Sequence, residues 1–315
     1  MMNVEKTAAI VGVGLIGSAW SVAFARAGWR VQMYDERAAA CEAYGAWADA
    51  TWDAMVAHKL VTAADARAAR QRVTLCSTLP DALDGACYVQ ESAAETVEVK
   101  TSLFSQLDGL IGKDTIIGSS SSGIPGSAFT EECKHRGRML ICHPVNPPHL
   151  IPLVELVPTP WTDPEVVEKA RGIMTAIGQT PILVRKEIGG FVLNRLQGAL
   201  LNEAWALYED GVASLDDIDA TVRDGLGLRW EFMGPFETID LNAPGGISDY
   251  ASRFRRMYSE MNNGRKKGPW PDDVIKRADE DRAALLSRSQ LKPRSEWRDG
   301  YLMDLVAFRK GMKRD

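Results

Sequence analysis

Thr7–Val11 is an unbroken apolar run that stops at a glycine, the pattern of a short strand buried on both faces. Beyond the glycines, Ser18–Ala27 is small and apolar with no breaker and predicts a helix; Gly28 ends it and Val31–Tyr34 predicts a second strand. Strand, glycine turn, helix and strand in that order form a βαβ unit, which implies parallel pairing through a right-handed crossover. Residues 36–72 are alanine-rich, with heptad-like apolar spacing and no proline, and predict one long helix or a helical hairpin. Short apolar runs recur at Val73–Cys76, Cys87–Gln90, Thr115–Gly118, Met139–Cys142, Val154–Val157 and Ile182–Val184, and helical stretches such as Val97–Leu110 and Pro164–Ile177 separate several of them. Strands alternating with helices predict an open, mostly parallel sheet covered on both faces.

The pattern changes near Glu187-Ile188-Gly189-Gly190, and no strand-like run follows. Phe191–Asp210 carries Leu193, Leu196, Leu200, Ala204 and Leu207 on one stripe, which predicts a long helix with Gly211 as its stop. Ser214 with Asp217 opens another helix. The remainder reads as helical, broken by Gly245-Gly246 and the polar loop Asn262–Pro271, and ends in a charged amphipathic helix over Ser295–Arg314. The expected architecture is an α/β Rossmann-type domain with a mostly parallel sheet over residues 1–187, followed by an all-α domain over residues 188–315.

Composition removes several functions. The 315 residues carry a net charge of −5, whereas nucleic-acid binding would rest on a basic surface. No apolar run approaches the roughly 20 residues that cross a bilayer, and Met1–Ala8 lacks the cationic start and apolar core of a secretory signal. Cys41, Cys76, Cys87, Cys133 and Cys142 form no C-x-x-C pair, as expected of a reduced, cytoplasmic protein. With the scattered His58, His135, His143 and His149 they supply no metal-ligand cluster. The partner expected is a small molecule, with no nucleic acid, no membrane and no metal.

Gly12-Val13-Gly14-Leu15-Ile16-Gly17 follows a strand, opens a helix, and is answered by an acid, Asp35, at the end of the next strand. In this context Gly12 allows the tight turn, Gly14 admits a pyrophosphate close to the backbone, and Gly17 lets helix and strand pack closely. The helix start offers free N–H groups and a positive dipole end to phosphate. Asp35 would accept hydrogen bonds from the adenosine ribose hydroxyls and repel a 2′-phosphate, which favours NAD over NADP; Arg37, two residues on, weakens that preference slightly. The motif taken by itself also suits an FAD site or a methyltransferase.

His143 follows the apolar strand Met139–Cys142, in His143-Pro-Val-Asn-Pro-Pro148, and the carboxyl end of a strand is where open α/β sheets bind ligands. Glu155 lies between Val154 and Leu156 in the next apolar strand, and a buried carboxylate needs a partner, for which His143 is the natural choice. Ser119–Ser122 closes another strand and offers either a turn or hydroxyl donors to a ligand.

Taken together, these motifs resemble the 3-hydroxyacyl-CoA dehydrogenase superfamily, and more closely its lambda-crystallin branch, which includes L-gulonate 3-dehydrogenase. The resemblance covers nearly the whole chain. It rests on Gly12–Gly17, Ser119–Ser122, the His143 motif followed by Ile151-Pro-Leu-Val-Glu155-Leu-Val157, Gly190-Phe-Val-Leu-Asn194-Arg195, Gly234-Pro-Phe-Glu237 and Glu296-Trp-Arg-Asp299. It implies NAD as cofactor, with Gly12, Gly14, Leu15, Ile16, Gly17 and Asp35 around its adenosine half and Glu95 and Lys100 near the nicotinamide and its ribose. It further implies His143 as general base, Glu155 as the carboxylate orienting it, Ser122 and Asn194 as donors to the substrate oxygen, and Asn146 in a supporting part. A neutral imidazole near pH 7 suits the proton released when a secondary alcohol is oxidised.

The chain departs from the acyl-CoA pattern in three places. Arg229-Trp230 interrupts Gly225–Gly234, and an arginine facing the site would hold a free carboxylate bidentately. The basic residues of the segment 36–72 gather mainly at its end, leaving less cationic density for a CoA nucleotide, and the extension beyond about residue 265 is longer. The function expected is therefore oxidation of the 3-hydroxyl of a small, L-gulonate-like 3-hydroxy acid. The alternatives are 3-hydroxybutyryl-CoA or L-carnitine dehydrogenase and, in a different class, a non-catalytic NAD-binding structural or sensor protein. A serine hydrolase on Ser122, His143 and Glu155 would lack the G-x-S-x-G elbow and leave the glycine turn unused. Apolar surface on the helical domain, and the habit of the family, imply a homodimer.

Overall fold

A computed structural model describes residues 6–261 and 271–311. The first strand, β1 (Thr7–Val11), is followed by α1 (Leu15–Arg26), β2 (Arg30–Tyr34), the helical pair α2 (Ala38–Ala57) and α3 (Ala63–Arg70), β3 (Val73–Leu75), α4 (Leu79–Leu83) and β4 (Tyr88–Glu91). Then come α5 (Val97–Leu110), β5 (Ile116–Ser119), α6 (Ser127–Thr130), β6 (Met139–Pro144), β7 (Leu153–Pro158), α7 (Pro164–Ala176) and β8 (Thr180–Leu183). The segment 36–72 is thus a hairpin rather than one rod. Its second arm begins at Thr62, whose hydroxyl accepts from the Asp65 N–H and donates to the Asp65 carboxylate, reciprocal capping that fixes a helix start.

The eight strands form one sheet in the order β3-β2-β1-β4-β5-β6-β7-β8. Neighbours are parallel except β6 and β7, which run antiparallel with His143 opposite Glu155. The strand order reverses between β1 and β4, the switch point where such sheets open a crevice beyond their carboxyl ends. Successive side chains of β1 feed opposite faces: Ala8 and Ile10 join one apolar cluster with Trp20, Phe24 and Trp52, while Ala9 and Val11 join the other with Phe104, Leu107 and Phe129. Burying each of these large side chains stabilises the fold by about 1.5–3 kcal/mol.

Beyond β8 no strand occurs among the described residues. The chain continues as α8 (Leu193–Glu209), α9 (Leu215–Ala220), α10 (Gly227–Trp230), α11 (Pro235–Leu241), α12 (Gly246–Met261), α13 (Asp272–Leu285) and α14 (Leu291–Gly311). Ser214 caps α9 by accepting from the Asp217 N–H, as its spacing predicts. Residues 262–270 of the expected polar loop and 312–315 of the last helix lie outside the described residues.

By contacts the chain forms two compact units, one running through Leu196 and resuming at Glu296, the other Gln197–Ser295. Met303 is buried in the cluster of Trp52 and Met55, with Leu302, Val306 and Ala307 packed beside it, and His58 Nδ1 meets Asp304 Oδ1 at 2.5 Å. The apolar stripe of α14 therefore completes the covering of α2. Within the second unit Tyr208, Val274 and Ala278 form a small core, with Arg277 over the Tyr208 ring. Among the described residues no helix is long and apolar enough to cross a membrane.

Candidate active site

The glycine turn joins β1 to α1 at the switch point. Gly12 has φ +100°, a region that favours glycine, and a Cβ there would collide with the Ser92 carbonyl. A Cβ on Gly17 would strike the Gly12 carbonyl, whereas one on Gly14 would meet nothing within 4 Å. Gly12 and Gly17 thus serve the chain's own packing, and Gly14 leaves open space at the helix start, as a pyrophosphate requires. Leu15 and Ile16 open the helix, with Leu15 exposed at 62%. A cavity of about 340 Å³, lined among others by Gly12, Tyr34, Asp35, Arg37, Ser92 and Leu103, adjoins the turn. These features fit the adenosine half of a dinucleotide. Asp35 accepts from the Val13 N–H at 2.8 Å and from Arg37, whose backbone N–H and Nε approach Oδ1 at 2.8 and 3.1 Å and whose Nη2 approaches Oδ2 at 3.1 Å. Burial would raise the Asp35 pKa, but these hydrogen bonds hold the carboxyl below its ordinary value. Arg37 therefore occupies the carboxylate that the sequence assigned to the ribose.

The antiparallel pairing of β6 and β7 sets His143 and Glu155 side by side. His143 Nδ1 lies 2.7 Å from Glu155 Oε2, both residues are buried, and the Phe191 ring stands 5.6 Å from the imidazole. Glu155 Oε1 accepts from the Val192 and Leu193 N–H groups, both at 2.9 Å, so the same carboxylate anchors the first turn of α8. Gly190 and Phe191, at φ +74° and +47°, turn the chain into that position. Burial would raise the Glu155 pKa, but His143 and the two backbone donors hold it below the ordinary carboxylate range. An ionised carboxylate only accepts, so Nδ1 carries a proton, and in the neutral imidazole Nε2 is the nitrogen with the lone pair.

At the second residue of α8, Asn194 donates from Nδ2 to the Ser122 carbonyl at 2.5 Å. Ser122 hangs in turn from Glu95: its N–H approaches Glu95 Oε1 at 2.7 Å and its hydroxyl at 3.3 Å, with Ser121 Oγ at 2.8 Å and the Gly123 N–H at 3.3 Å on the same oxygen. Lys100 Nζ reaches Glu95 Oε2 at 3.2 Å. Burial would raise the Glu95 pKa, but Lys100 and the serine donors hold it down. The structure thus joins Glu95, Lys100, Ser122 and Asn194 in one network, and His143 with Glu155 in another through the start of α8. Arg229 sits exposed on α10 in the second unit, and Asn146 is exposed in the loop after β6.

Sequence reasoning missed Glu91. It closes β4, is fully buried, and holds Lys100 Nζ at 3.0 and 3.1 Å, Ser119 Oγ at 2.5 Å and the Ala93 N–H at 2.7 Å. The signal was present, since an acid ends the apolar run Cys87–Gln90 much as Glu155 sits within its own strand. A buried carboxylate of this kind holds its place only when paired and hydrogen-bonded.

A glycine turn at a switch point, an acid at the end of the next strand and an imidazole near the carboxyl end of β6 paired with a carboxylate of β7 are the features of an NAD-linked dehydrogenase of the Rossmann type. Residues 7–188 match the family model of the 3-hydroxyacyl-CoA dehydrogenase NAD-binding domain and residues 190–283 that of its C-terminal domain. The chain belongs to the 3-hydroxyacyl-CoA dehydrogenase family, and its cofactor is NAD. It is 37% identical over 313 residues to a lambda-crystallin homolog of Rattus norvegicus, covering 96% of both chains. It is 38% identical over 250 residues to an L-carnitine dehydrogenase of Pseudomonas putida, covering 79% of this chain and 77% of that one. Among solved structures it is similar to the NAD+-dependent dismutase 5-formyl-3-hydroxy-2-methylpyridine 4-carboxylic acid 5-dehydrogenase, with TM-score 0.81, 28% identity and 98% and 99% of the two chains covered.

Proposed function

We propose that the protein oxidises the 3-hydroxyl of a small, free 3-hydroxy carboxylic acid of the L-gulonate type to the 3-keto acid, with His143 as general base. The observation that carries this reading is the 2.7 Å pair between His143 Nδ1 and Glu155 Oε2, which leaves Nε2 to accept a proton. NAD+, when bound, supplies the hydride acceptor. His143 takes the hydroxyl proton at Nε2, and Glu155 steadies the imidazolium that results. The Ser122 hydroxyl and the second N–H of Asn194 hold the substrate oxygen, while Glu95 and Lys100 fix the serine turn beside the nicotinamide half of the cofactor. Arg229 binds the free carboxylate, a role argued from its intrusion into the acyl-CoA pattern. A second reading, L-carnitine as substrate, is favoured by the likeness to the Pseudomonas putida enzyme. We place the protein in the cytoplasm as a homodimer built on its second unit, where Leu228, Phe232, Phe236 and Leu241 are each at least 60% exposed.

The test is NADH formation with L-gulonate, L-carnitine and 3-hydroxybutyryl-CoA as substrates. His143→Ala should lower turnover with the preferred substrate by about 10²–10⁴-fold and leave NAD+ affinity nearly unchanged. Turnover retained by the variant would remove His143 as the base. NAD+ binding without turnover of any 3-hydroxy compound would favour the non-catalytic reading.

A further inference from the structure

The donors around Ser120 direct a hydroxyl proton toward Ser92. Gln90, fully buried in β4, accepts from the Tyr88 hydroxyl at Oε1 (2.5 Å) and presents Nε2 to the Cys142 carbonyl (3.3 Å) and to Ser120 Oγ (2.8 Å). A carbonyl can only accept, so the amide nitrogen faces that side and donates to Ser120. The indole N–H of Trp20, which can only donate, reaches the same Ser120 Oγ at 3.1 Å. A hydroxyl has two lone pairs and one proton. With both lone pairs of Ser120 engaged, its proton goes to the remaining neighbour, Ser92 Oγ, at 2.8 Å. Ser92 thereby accepts, and its own proton is left for another acceptor.

Ser92 stands where that proton is useful to a ligand. It follows β4 at the switch point, its N–H donates to the Val11 carbonyl at 2.7 Å, and its carbonyl flanks Gly12. It lines the cavity that Gly12 and Asp35 also line. We propose that Ser92 is a cofactor-binding residue: a hydrogen-bond donor, oriented by Trp20, Gln90 and Ser120, that serves an oxygen of the pyrophosphate or of an adjoining ribose. A hydroxyl restricted before binding gives up less rotational freedom on binding than a free one, and with one lone pair of Ser92 taken by Ser120 its proton remains to be donated. Trp20 and Gln90 act as positioning residues through Ser120. This inference rests on the NAD site and is independent of which substrate is oxidised.

The experiment measures dissociation constants of the full-length protein for NAD+, ADP-ribose and AMP by titration calorimetry. Ser92→Ala should weaken NAD+ and ADP-ribose by about fivefold, and Ser92→Thr, which keeps the hydroxyl, should retain most of the affinity. A matching loss with AMP would place the acceptor on the adenosine-side phosphate or ribose; AMP unaffected would place it on the distal phosphate or its ribose. Trp20→Phe frees a lone pair on Ser120, so it should weaken NAD+ partially in the wild-type background and not at all when Ser92 is already alanine. NAD+ affinity of Ser92→Ala within twofold of wild type would overturn the assignment. Equal effects of Trp20→Phe in both backgrounds would overturn the orienting chain. Should Trp20→Phe fail to fold, the alanine–threonine contrast at Ser92 decides alone.

Discussion

His149 illustrates how far a single residue can be read from its surroundings. It is buried after β6, its backbone carbonyl accepts from Arg26 Nη1 at 3.0 Å, the Trp47 ring meets it edge-on at 6.1 Å, and its Nδ1 has no hydrogen-bond partner among the described residues. Burial, with the Arg26 charge adding to it, pushes its pKa down to about 4. The folded chain thus holds this imidazole neutral, while the unfolded chain protonates it near pH 6.5. Between those values the unfolded state binds more protons, so the stability it contributes is complete above about pH 6.5 and lost as the pH falls toward 4. The full loss amounts to roughly 3 kcal/mol. The lowered carboxyl groups Asp35, Glu95 and Glu155 act with the same sign but only below about pH 4.5, which leaves the window above it to histidine. The melting temperature of the wild type should therefore fall more steeply than that of His149→Gln from pH 6.5 to 4.5. Parallel curves would show that His149 is not the group responsible.

Among the elements, α14 is a covering for α2 rather than an appendage. Met303 is 4% exposed in the cluster of Trp52 and Met55, so Met303→Ala should lower unfolding free energy by about 2–4 kcal/mol in urea titrations, whereas truncating exposed Phe308 should change it little. An equal, small effect of both would detach the helix from the core. That docking was illegible in the sequence, because the stripe Leu302, Met303, Val306 and Ala307 announces an amphipathic helix without naming the surface it meets. The strands were legible for the opposite reason: buried on both faces, they read as bare apolar runs, and β1 ends where Gly12 must turn. The His143–Glu155 pair was legible because a carboxylate inside an apolar strand demands a partner and the preceding strand ends in a histidine. Glu91 went unread because its partner, Lys100, is reached through a helix start, where sequence spacing does not measure distance. The pairing of Arg37 with Asp35 went unread because it depends on a rotamer.

For the whole molecule, the open question is which charged groups remain to select the substrate. Lys100 is the cation beside the serine turn, but Glu91 and Glu95 both hold it, so its charge is spent on the network that positions Ser122. On the proposed free-acid reading the substrate carboxylate needs another cation, and the proposal gives that part to Arg229, the residue by which this chain departs from the acyl-CoA pattern. Its planar fork would engage both carboxylate oxygens, an interaction that a neutral ester cannot return. Arg229→Ala should accordingly raise KM for the free 3-hydroxy acid by about tenfold or more while leaving KM for its methyl ester within about twofold, since a charge-assisted hydrogen bond contributes about 1.5–3 kcal/mol. Arg229→Lys should recover part of the loss, because it restores the charge without the fork. If acid and ester respond equally to the alanine variant, Arg229 shapes the second unit rather than the substrate site, and the case for a free acid over L-carnitine or a CoA thioester loses its principal residue.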